Sequence, residues 1–439
     1  MSDKKNKLGL FMLIALVIGN MVGSGVFMLP ASIAQIGSIG LLSWIFTATG
    51  ALCLAMVFAK MCLLVPKNGG PYAFARAGFG KYIGFQTAFF YWASAWIGNA
   101  AIAVAMTGYL RVFFPSLAHR SVETITIVAT IWFLTLINIR GVRSAGFIQI
   151  ITTILKFIPL LVVGLIGWHY FHPEYITHSF NVSGKSNFSA FSSAATLTLW
   201  AFIGVESATV PAGSVYNPSR NIPLATVIGT VIAAVIYIVC AVTVAGMIPN
   251  TILANSTSPF ADAAQVIFGS WGGALIAAGA AIACFGTLNG WTLICGQIPM
   301  AIADDNLFPK IFSHRSKSGA PIVGLIVSAI LIAVLVISVT SLNFIDQFNF
   351  LITITATSAL IAYFYSALAE IIILPKEKRF LRKNCVNMVI AILAAAYSFW
   401  AIFGSSKEVI FCVMVLIFIT IPLYAIMHRK LHDMPEDSL

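Results

Sequence analysis

Residues 19–27 read GNMVGSGVF and interrupt an apolar run that covers residues 9–30. Gly19, Gly23 and Gly25 fall within seven residues, and each glycine costs a helix about 1 kcal/mol relative to alanine. One interpretation is unwound backbone whose free N–H groups, beside the N-terminus of a half-helix, can bind a carboxylate. The other is a helix-packing face, because Gly19 and Gly23 have GxxxG spacing. Since the Gly-Ser-Gly triplet extends past any packing ridge, the pattern favours a break.

A second interruption lies at residues 199–208, which read LWAFIGVESA and place Gly204 and Glu206 within an apolar run. A carboxylate at that depth costs about 2.5–3.5 kcal/mol on insertion scales, so it should face a cavity or a partner. Glu206 is therefore a candidate functional residue. A purely structural role, in which it accepts hydrogen bonds from unwound backbone or a neighbouring helix, stays open.

The composition indicates the class of protein. Of the 439 residues, 59% are hydrophobic and 9% are charged, whereas soluble chains are about 45–50% apolar and 25% charged. This excludes a soluble enzyme and a disordered protein, and the net charge of +11 is carried by too few residues to indicate a nucleic-acid binder. The seven cysteines lie almost entirely in apolar runs without metal-ligand spacing, so we interpret them as buried apolar side chains. We expect an all-α polytopic membrane protein without a metal or cofactor.

Twelve membrane-spanning helices are predicted from the apolar runs and from the clusters of Pro, Gly, Asn and charge between them. They lie near residues 9–30, 38–64, 82–110, 122–139, 146–169, 189–212, 223–248, 271–299, 320–340, 345–373, 386–404 and 408–427. Nineteen of the 25 Lys and Arg residues fall in the termini and alternate loops, against four in the opposite loops. By the positive-inside rule, the N-terminus (1–8) and the C-terminal tail (428–439) are cytoplasmic.

Spans 1 and 6, the two interrupted helices, hold corresponding positions in two five-helix halves, residues 9–169 and 189–373. Two peripheral helices follow at 386–427. Because five is an odd number, the halves insert with opposite orientations, and an inverted repeat with paired broken helices is typical of secondary transporters with a midplane site. There is no P-loop, HExxH or S4-like arginine pattern to support ATP-driven pumping, proteolysis or voltage gating. We therefore predict a transporter and not an enzyme.

Lys156 lies about ten residues into predicted span 5, beyond easy snorkelling reach of either surface. One hypothesis is an amine that exchanges a proton during transport. The alternative is a permanently paired structural lysine. Lys60 and Glu370, by contrast, lie near predicted cytoplasmic helix ends, where snorkelling explains both.

Asn99 and Trp291 lie too deep in spans 3 and 8 for a role at the membrane interface. An indole face can hold a cation by cation–π attraction. A buried asparagine needs a hydrogen-bond partner, which is either another helix or a substrate. Both residues are candidate walls of a binding site.

Six motifs together carry a family resemblance that covers essentially the whole chain. They are GNMVGSGVFMLPA (19–31), YWASAWIGN (91–99), LWAFIGVESA (199–208), NPSRNIPLAT (217–226), LNGWTLICGQ (288–297) and ADDNLFPKIF (303–312). The chain resembles the amino acid–polyamine–organocation superfamily, and within it the bacterial basic amino acid/polyamine antiporters. The arginine/agmatine exchangers are the best match, with putrescine/ornithine exchangers close behind. The resemblance implies the leucine-transporter fold, with ten core helices in two inverted five-helix repeats and two peripheral helices.

The resemblance also implies a substrate site. Asn20, Met21, Ser24 and Gly25 would hold the α-carboxylate and α-amino groups of an amino acid. The remaining implied substrate-binding residues, which would meet or stack on the rest of the substrate, are Ser94, Ala95, Asn99, Trp200, Ile203, Trp291 and Thr355. Trp200 would also close the outer gate, and the inner gate would consist of Tyr91, Glu206 and Tyr363.

Four positions depart from the arginine/agmatine exchangers. Ala95, Thr355 and Met21 stand where those exchangers have cysteine, serine and isoleucine, which should tune the pocket without abolishing it. Lys156 stands where the antiporters have a small residue. Proton-coupled amino acid symporters of the superfamily place a lysine there, which resembles an internal substitute for a sodium ion.

The function implied by the resemblance is exchange of a cationic amino acid, arginine by preference, for its decarboxylated amine, agmatine, across the inner membrane. The alternatives are a proton-coupled amino acid symporter that uses Lys156 as its proton carrier, and an ornithine/putrescine-type exchanger. The expected partners are these small molecules and the lipid bilayer, and not nucleic acid. A homodimer is a candidate assembly that the sequence does not decide.

Overall fold

The computed structural model describes residues 8–67, 69–140, 156–210, 212, 215–317, 319–376 and 382–432, and every regular element within these ranges is helical. The α-helices are, in chain order, α1 (Leu10–Met21), α2 (Ser24–Ala34), α3 (Ile39–Leu64), α4 (Pro71–Phe79), α5 (Lys81–Leu110), α6 (Arg120–Arg140), α7 (Phe157–Leu161), α8 (Pro173–Thr177), α9 (Asn187–Leu199), α10 (Pro218–Met247), α11 (Asn250–Leu253), α12 (Pro259–Phe268), α13 (Ser270–Asp304), α14 (Ile322–Val339), α15 (Phe344–Ile373), α16 (Arg382–Phe403) and α17 (Lys407–His432).

Ten helical segments of the described chain are long and apolar enough to cross a membrane, with α1 and α2 counted as one segment. They correspond to predicted spans 1–4 and 7–12. Residues 146–155 of predicted span 5 lie outside the described ranges, and the rest of that span runs from α7 through short π and 3-10 turns to Tyr170. The chain is therefore an all-helical, multi-pass membrane protein, as predicted, while the count of twelve spans stays a prediction.

Large apolar side chains are exposed on the outward faces of the helices, for example Trp271 at 65% and Phe411 at 69%. Such a surface would be unfavourable in water and is suited to lipid. Cys385, near the start of α16, is exposed as well. The expectation that the cysteines are buried is therefore wrong at this position, because Cys385 lies at a helix end, just before an apolar run begins.

The first interruption separates α1 from α2. Helix α1 ends at Met21, Val22 is extended, and Gly23 precedes the first residue of α2, Ser24. A Cβ atom on Gly23 would lie 3.0 Å from the Cγ2 atom of Thr287 on α13, so the backbone passes this helix at a distance that favours glycine.

The second interruption follows α9, which ends at Leu199. One 3-10 turn covers Trp200–Phe202, and non-helical turns continue to residue 210. Gly204 has φ +104°, a conformation that L side chains rarely adopt. The two interruptions meet, since the Asn20 side-chain amide donates a hydrogen bond to the Ser207 hydroxyl at 2.9 Å.

We call the end of the bundle where α3 ends and α5 begins the inner face, and the opposite end the outer face. At the inner face, the short helix α4 is tied to the end of α13, because Arg76 contacts Asp305 at 2.7 Å and Tyr72 donates to the same carboxylate at 2.6 Å. Burial, and then the hydrogen bond to Asp305, raise the pKa of the Tyr72 phenol well above its usual range. At the outer face, Tyr109 of α5 donates to the carbonyl of Phe27 in α2 at 2.7 Å.

Candidate binding site

A cavity of about 20 Å³ lies where the two interruptions meet α5 and α13. Its lining residues are Asn20, Met21, Gly23, Ser24, Gly25, Ile102, Trp200, Ile203, Thr287 and Trp291. A cavity of this size has room for about one water molecule. The walls must therefore move before a molecule the size of an amino acid can enter.

The N-terminus of α2 forms one end of the cavity. Its first N–H groups have no acceptor in the preceding turn of a helix, and the helix dipole adds positive potential there. Ser24 is 1% exposed, and its hydroxyl has no hydrogen-bond partner among the described residues. A Cβ atom on Gly25 would lie 3.1 Å from the Cα atom of Ala201, so only glycine leaves this approach open. An anionic group such as a carboxylate suits this end of the cavity.

Lys156 lies behind the same interruption, at the C-terminal end of α1. It is 1% exposed, and its Nζ donates to the carbonyls of Gly19 at 2.5 Å and Val22 at 2.9 Å. The last carbonyls of a helix have no partner within it and carry the negative end of its dipole, so a lysine there satisfies both the acceptors and the charge. The ammonium group thus supports the break itself.

Trp200 and Trp291 supply the aromatic walls of the cavity. The Trp200 indole is packed between two glycines, because added Cβ atoms would lie 3.1 Å from its Cδ1 atom at Gly25 and 3.0 Å from its Cη2 atom at Gly98. Thr355 of α15 borders the same position, because its Cγ2 atom would lie 3.2 Å from a Cβ atom added on Gly98. Trp200 therefore closes one side of the cavity.

Four predicted binding residues do not line the cavity. Ser94, Ala95, Asn99 and Thr355 are all buried. The Ser94 hydroxyl donates to the carbonyl of Tyr91 at 2.8 Å, and the Asn99 amide nitrogen contacts the Cys295 sulfur at 3.2 Å. The side-chain carbonyl oxygen of Asn99 has no hydrogen-bond partner in the described part of the chain. Contact of these residues with a substrate stays a prediction.

Ile102 and Thr287 line the cavity and were not predicted as site residues. A signal was present, because Ile102 follows Asn99 by three residues and Thr287 precedes Trp291 by four. Residues three and four apart share a helix face. The Thr287 hydroxyl donates to the carbonyl of Ala283 at 2.9 Å, so its lone pairs remain available to a donor in the cavity.

Glu206 lies in the second interruption, on the side of the cavity that leads to the inner face. It is fully buried, and it accepts hydrogen bonds from Tyr91 at 2.7 Å and from Tyr363 at 2.5 Å. These contacts join α5, the span 6 interruption and α15. The three residues that the resemblance grouped are thus brought together, and the partner of Glu206, which the sequence left open, is a pair of tyrosines.

Comparison with known proteins decides the family. The sequence model of the amino acid permease family matches residues 8–428. The chain belongs to the amino acid permease family. It is 34% identical to the cadaverine/lysine antiporter of Escherichia coli (strain K12) over 444 residues, which cover 100% of this chain and 98% of that protein. It is 36% identical to the putrescine transporter PotE of the same strain over 428 residues, covering 97% of each. The PotE protein of Haemophilus influenzae is 34% identical over 430 residues, with 98% and 99% covered.

These relatives are of the basic amino acid/polyamine antiporter type, so the resemblance found from the motifs is confirmed. As an amino acid permease, the protein is a membrane transporter and not an enzyme, also as predicted. Its site therefore has to bind a molecule and release it on the other side of the membrane. A cavity between two helix interruptions, with Trp200 on one side and Glu206 on the other, has the parts needed for both tasks.

Proposed function

We propose that this permease exchanges a cationic amino acid for the amine that its decarboxylation produces, by alternating access across the inner membrane. The observation that carries the proposal is the small cavity between the N-terminus of α2 and two tryptophans. The relatives add support, because two are named for cadaverine/lysine and putrescine. We further propose twelve spans with cytoplasmic termini, in which residues 9–169 and 189–373 form the inverted repeat with broken spans 1 and 6.

In the proposed bound state, the α-carboxylate lies at the N-terminus of α2, where Ser24 and Gly25 leave N–H and hydroxyl donors free. Asn20, Met21 and Ile203 enclose the α-amino group. The cationic end of the side chain lies against Trp291, because an indole face attracts a cation in a site shielded from water. Ser94, Ala95, Asn99 and Thr355 contact that end after the cavity has widened.

The two gates follow from the same contacts. Trp200 forms the outer gate, and the triad of Tyr91, Glu206 and Tyr363 forms the inner one. An exchanger requires that the empty carrier reorients slowly, and a gate that is completed by stacking of Trp200 on the substrate meets this need. Release of the substrate to the inner face requires that the hydrogen bond of Tyr91 or of Tyr363 to Glu206 breaks.

A competition experiment tests the proposal and the finer choice of substrate. Purified protein in lysine-loaded vesicles is given labelled lysine together with arginine, ornithine, agmatine, cadaverine, putrescine, leucine or glutamate. We expect the cationic amino acids and the amines to compete, and leucine and glutamate to fail. Stronger competition by agmatine than by cadaverine and putrescine supports the arginine/agmatine pair, and the reverse order assigns a diamine pair. Failure of every amine contradicts the exchanger.

Proton-coupled symport is the second candidate, and Lys156 is the observation that favours it. Its ammonium donates to two carbonyls at the first interruption, so loss of its proton would remove the positive charge there and weaken both hydrogen bonds. The two candidates separate in vesicles without internal substrate. Uptake driven by an imposed pH gradient alone supports symport, whereas uptake that needs internal substrate supports exchange.

A further inference from the structure

Glu370 is a buried acid near the inner end of α15 that has no role in the gates described above. Only 1% of it is exposed, and its Oε2 atom has no hydrogen-bond partner among the described residues. The interpretation that it snorkels to the surface is therefore wrong, because neighbouring helices cover this helix end. An ionisable side chain inside a membrane bundle is costly to keep and indicates a functional site.

The position of Glu370 relative to the inner gate is set by the helix. It follows Tyr363 by seven residues, which is about two helical turns and about 10 Å along the axis. The two side chains therefore share one face of α15. Ser366 and Ala367, both fully buried and small, occupy that face between them. Because Tyr363 bonds to Glu206, the acids Glu206 and Glu370 lie in sequence from the cavity toward the inner face.

An element of the inner face packs directly beside Glu370. Helix α4 lies against α15, where a Cβ atom on Gly78 would come within 2.7 Å of the Cβ atom of Ala369. The turn before α4 is joined to span 6, because the Gly69 N–H donates to the carbonyl of Val210 at 3.3 Å. A movement that opens the inner face by separating these contacts would loosen the packing beside Glu370.

Lys60 of α3 is close enough to Glu370 to attract the carboxylate. The Oε2 atom of Glu370 accepts no hydrogen bond from Lys60 or from any other described residue, so it can still accept one. A carboxylate oxygen of this kind binds an ammonium or a guanidinium by a charge-assisted hydrogen bond. The positive charge of the nearby lysine would weaken such binding by repulsion, so that a bound cation could leave again.

We propose that Glu370 is a second, transient binding site for the cationic end of the substrate, located between the Glu206 gate and the inner face. The inference rests on the proposed function. A cationic substrate that passes Glu206 would meet this carboxylate before it reaches water. The site would then act only on molecules that enter or leave at the inner face.

The test measures KM for cadaverine exchange from each side, with right-side-out and inside-out membrane vesicles that contain the full-length protein. Glu370→Gln preserves the shape of the side chain and removes its charge. We expect it to raise KM at the inner face by about tenfold, the effect of losing one charge-assisted hydrogen bond, and to leave KM at the outer face unchanged. Lys60→Gln should lower KM at the inner face, because the competing cation is gone.

Asp304→Asn is the matched control, since it removes one acidic charge from the exposed inner end of α13. It should leave KM unchanged at both faces, which excludes a general effect of surface charge. Equal KM values for Glu370→Gln and wild type at the inner face, or an equal change at both faces, would show that Glu370 is only structural. Absence of exchange in the wild type with cadaverine, putrescine and agmatine, and with lysine, ornithine and arginine tested in parallel, would instead contradict the proposed function.

Discussion

At Gly25, the packing of the two interruptions requires that no side chain is present. Gly25 stands at the N-terminus of α2, and an added Cβ atom would lie 3.1 Å from both the Ala201 Cα atom and the Trp200 Cδ1 atom. The first of these neighbours is backbone and cannot rotate away. A side chain here would separate the two interruptions and cover the N–H groups of the cavity.

We predict that Gly25→Val lowers the exchange rate by about 100-fold. The added side chain would push the N-terminus of α2 away from Ala201, and the binding groups of the cavity would then be misaligned. Gly25→Ala should have a smaller effect. The measurement is counterflow of labelled lysine in vesicles at equal protein content. Gly9→Val is the matched control, since a Cβ atom there meets nothing within 4 Å, and it should exchange normally. Normal exchange by Gly25→Val would remove this helix end from the site.

At the scale of elements, the first interruption depends on a residue from another span. Two carbonyls near the end of α1 are satisfied by Lys156, which lies 137 and 134 residues away along the chain. A break in the membrane core exposes backbone groups that water cannot reach, and each unsatisfied group costs about 1–3 kcal/mol. Lys156, at the start of the described part of predicted span 5, therefore supports the end of α1.

We predict that Lys156→Ala reduces both thermal stability and exchange, because the carbonyls of Gly19 and Val22 lose their donor. Lys185→Ala, at an exposed position, is the control and should behave as wild type. The melting temperature of the purified protein and uptake at several external pH values are the measurements. If Lys156→Ala leaves uptake and its pH dependence unchanged, the symport hypothesis fails, and an unchanged melting temperature would contradict the supporting role.

At the scale of the whole molecule, the distribution of Lys and Arg residues is the basis for the proposed orientation in the membrane. The loop before α16 is one of the segments predicted to be cytoplasmic from its Lys and Arg content. Cys385 lies next to this loop and is exposed, while the other six cysteines are buried or half-buried. Chemical labelling of this cysteine can therefore show on which side of the membrane the inner face lies.

We predict that a membrane-impermeant maleimide modifies Cys385 in inside-out vesicles and leaves it unmodified in intact cells. Mass spectrometry of the labelled peptide is the measurement, and Cys385→Ser should abolish the signal. Modification in intact cells would reverse the proposed orientation. It would also exchange the assignments of the inner and outer gates.

Particular residues show how much of the structure can be predicted from the sequence. The locations of Gly23 and Gly204 revealed both interruptions, because helix-breaking residues in a long apolar run act locally. Glu206 and Lys156 could be recognised as anomalies, because charge is costly at that depth. Thr287 was missed, and Glu370 was misinterpreted, because their significance depends on which helix covers them.

The sequence alone determined the class, most of the spans and the places where spans break, since these depend on apolar length and local helix propensity. Only the tertiary structure decided that Glu206 meets Tyr91 and Tyr363, that Lys156 meets α1, and that Asn99 points toward Cys295. The reason is physical. In a membrane protein the lipid-facing and buried sides of a helix are both apolar, so the pattern along one span does not encode its rotation.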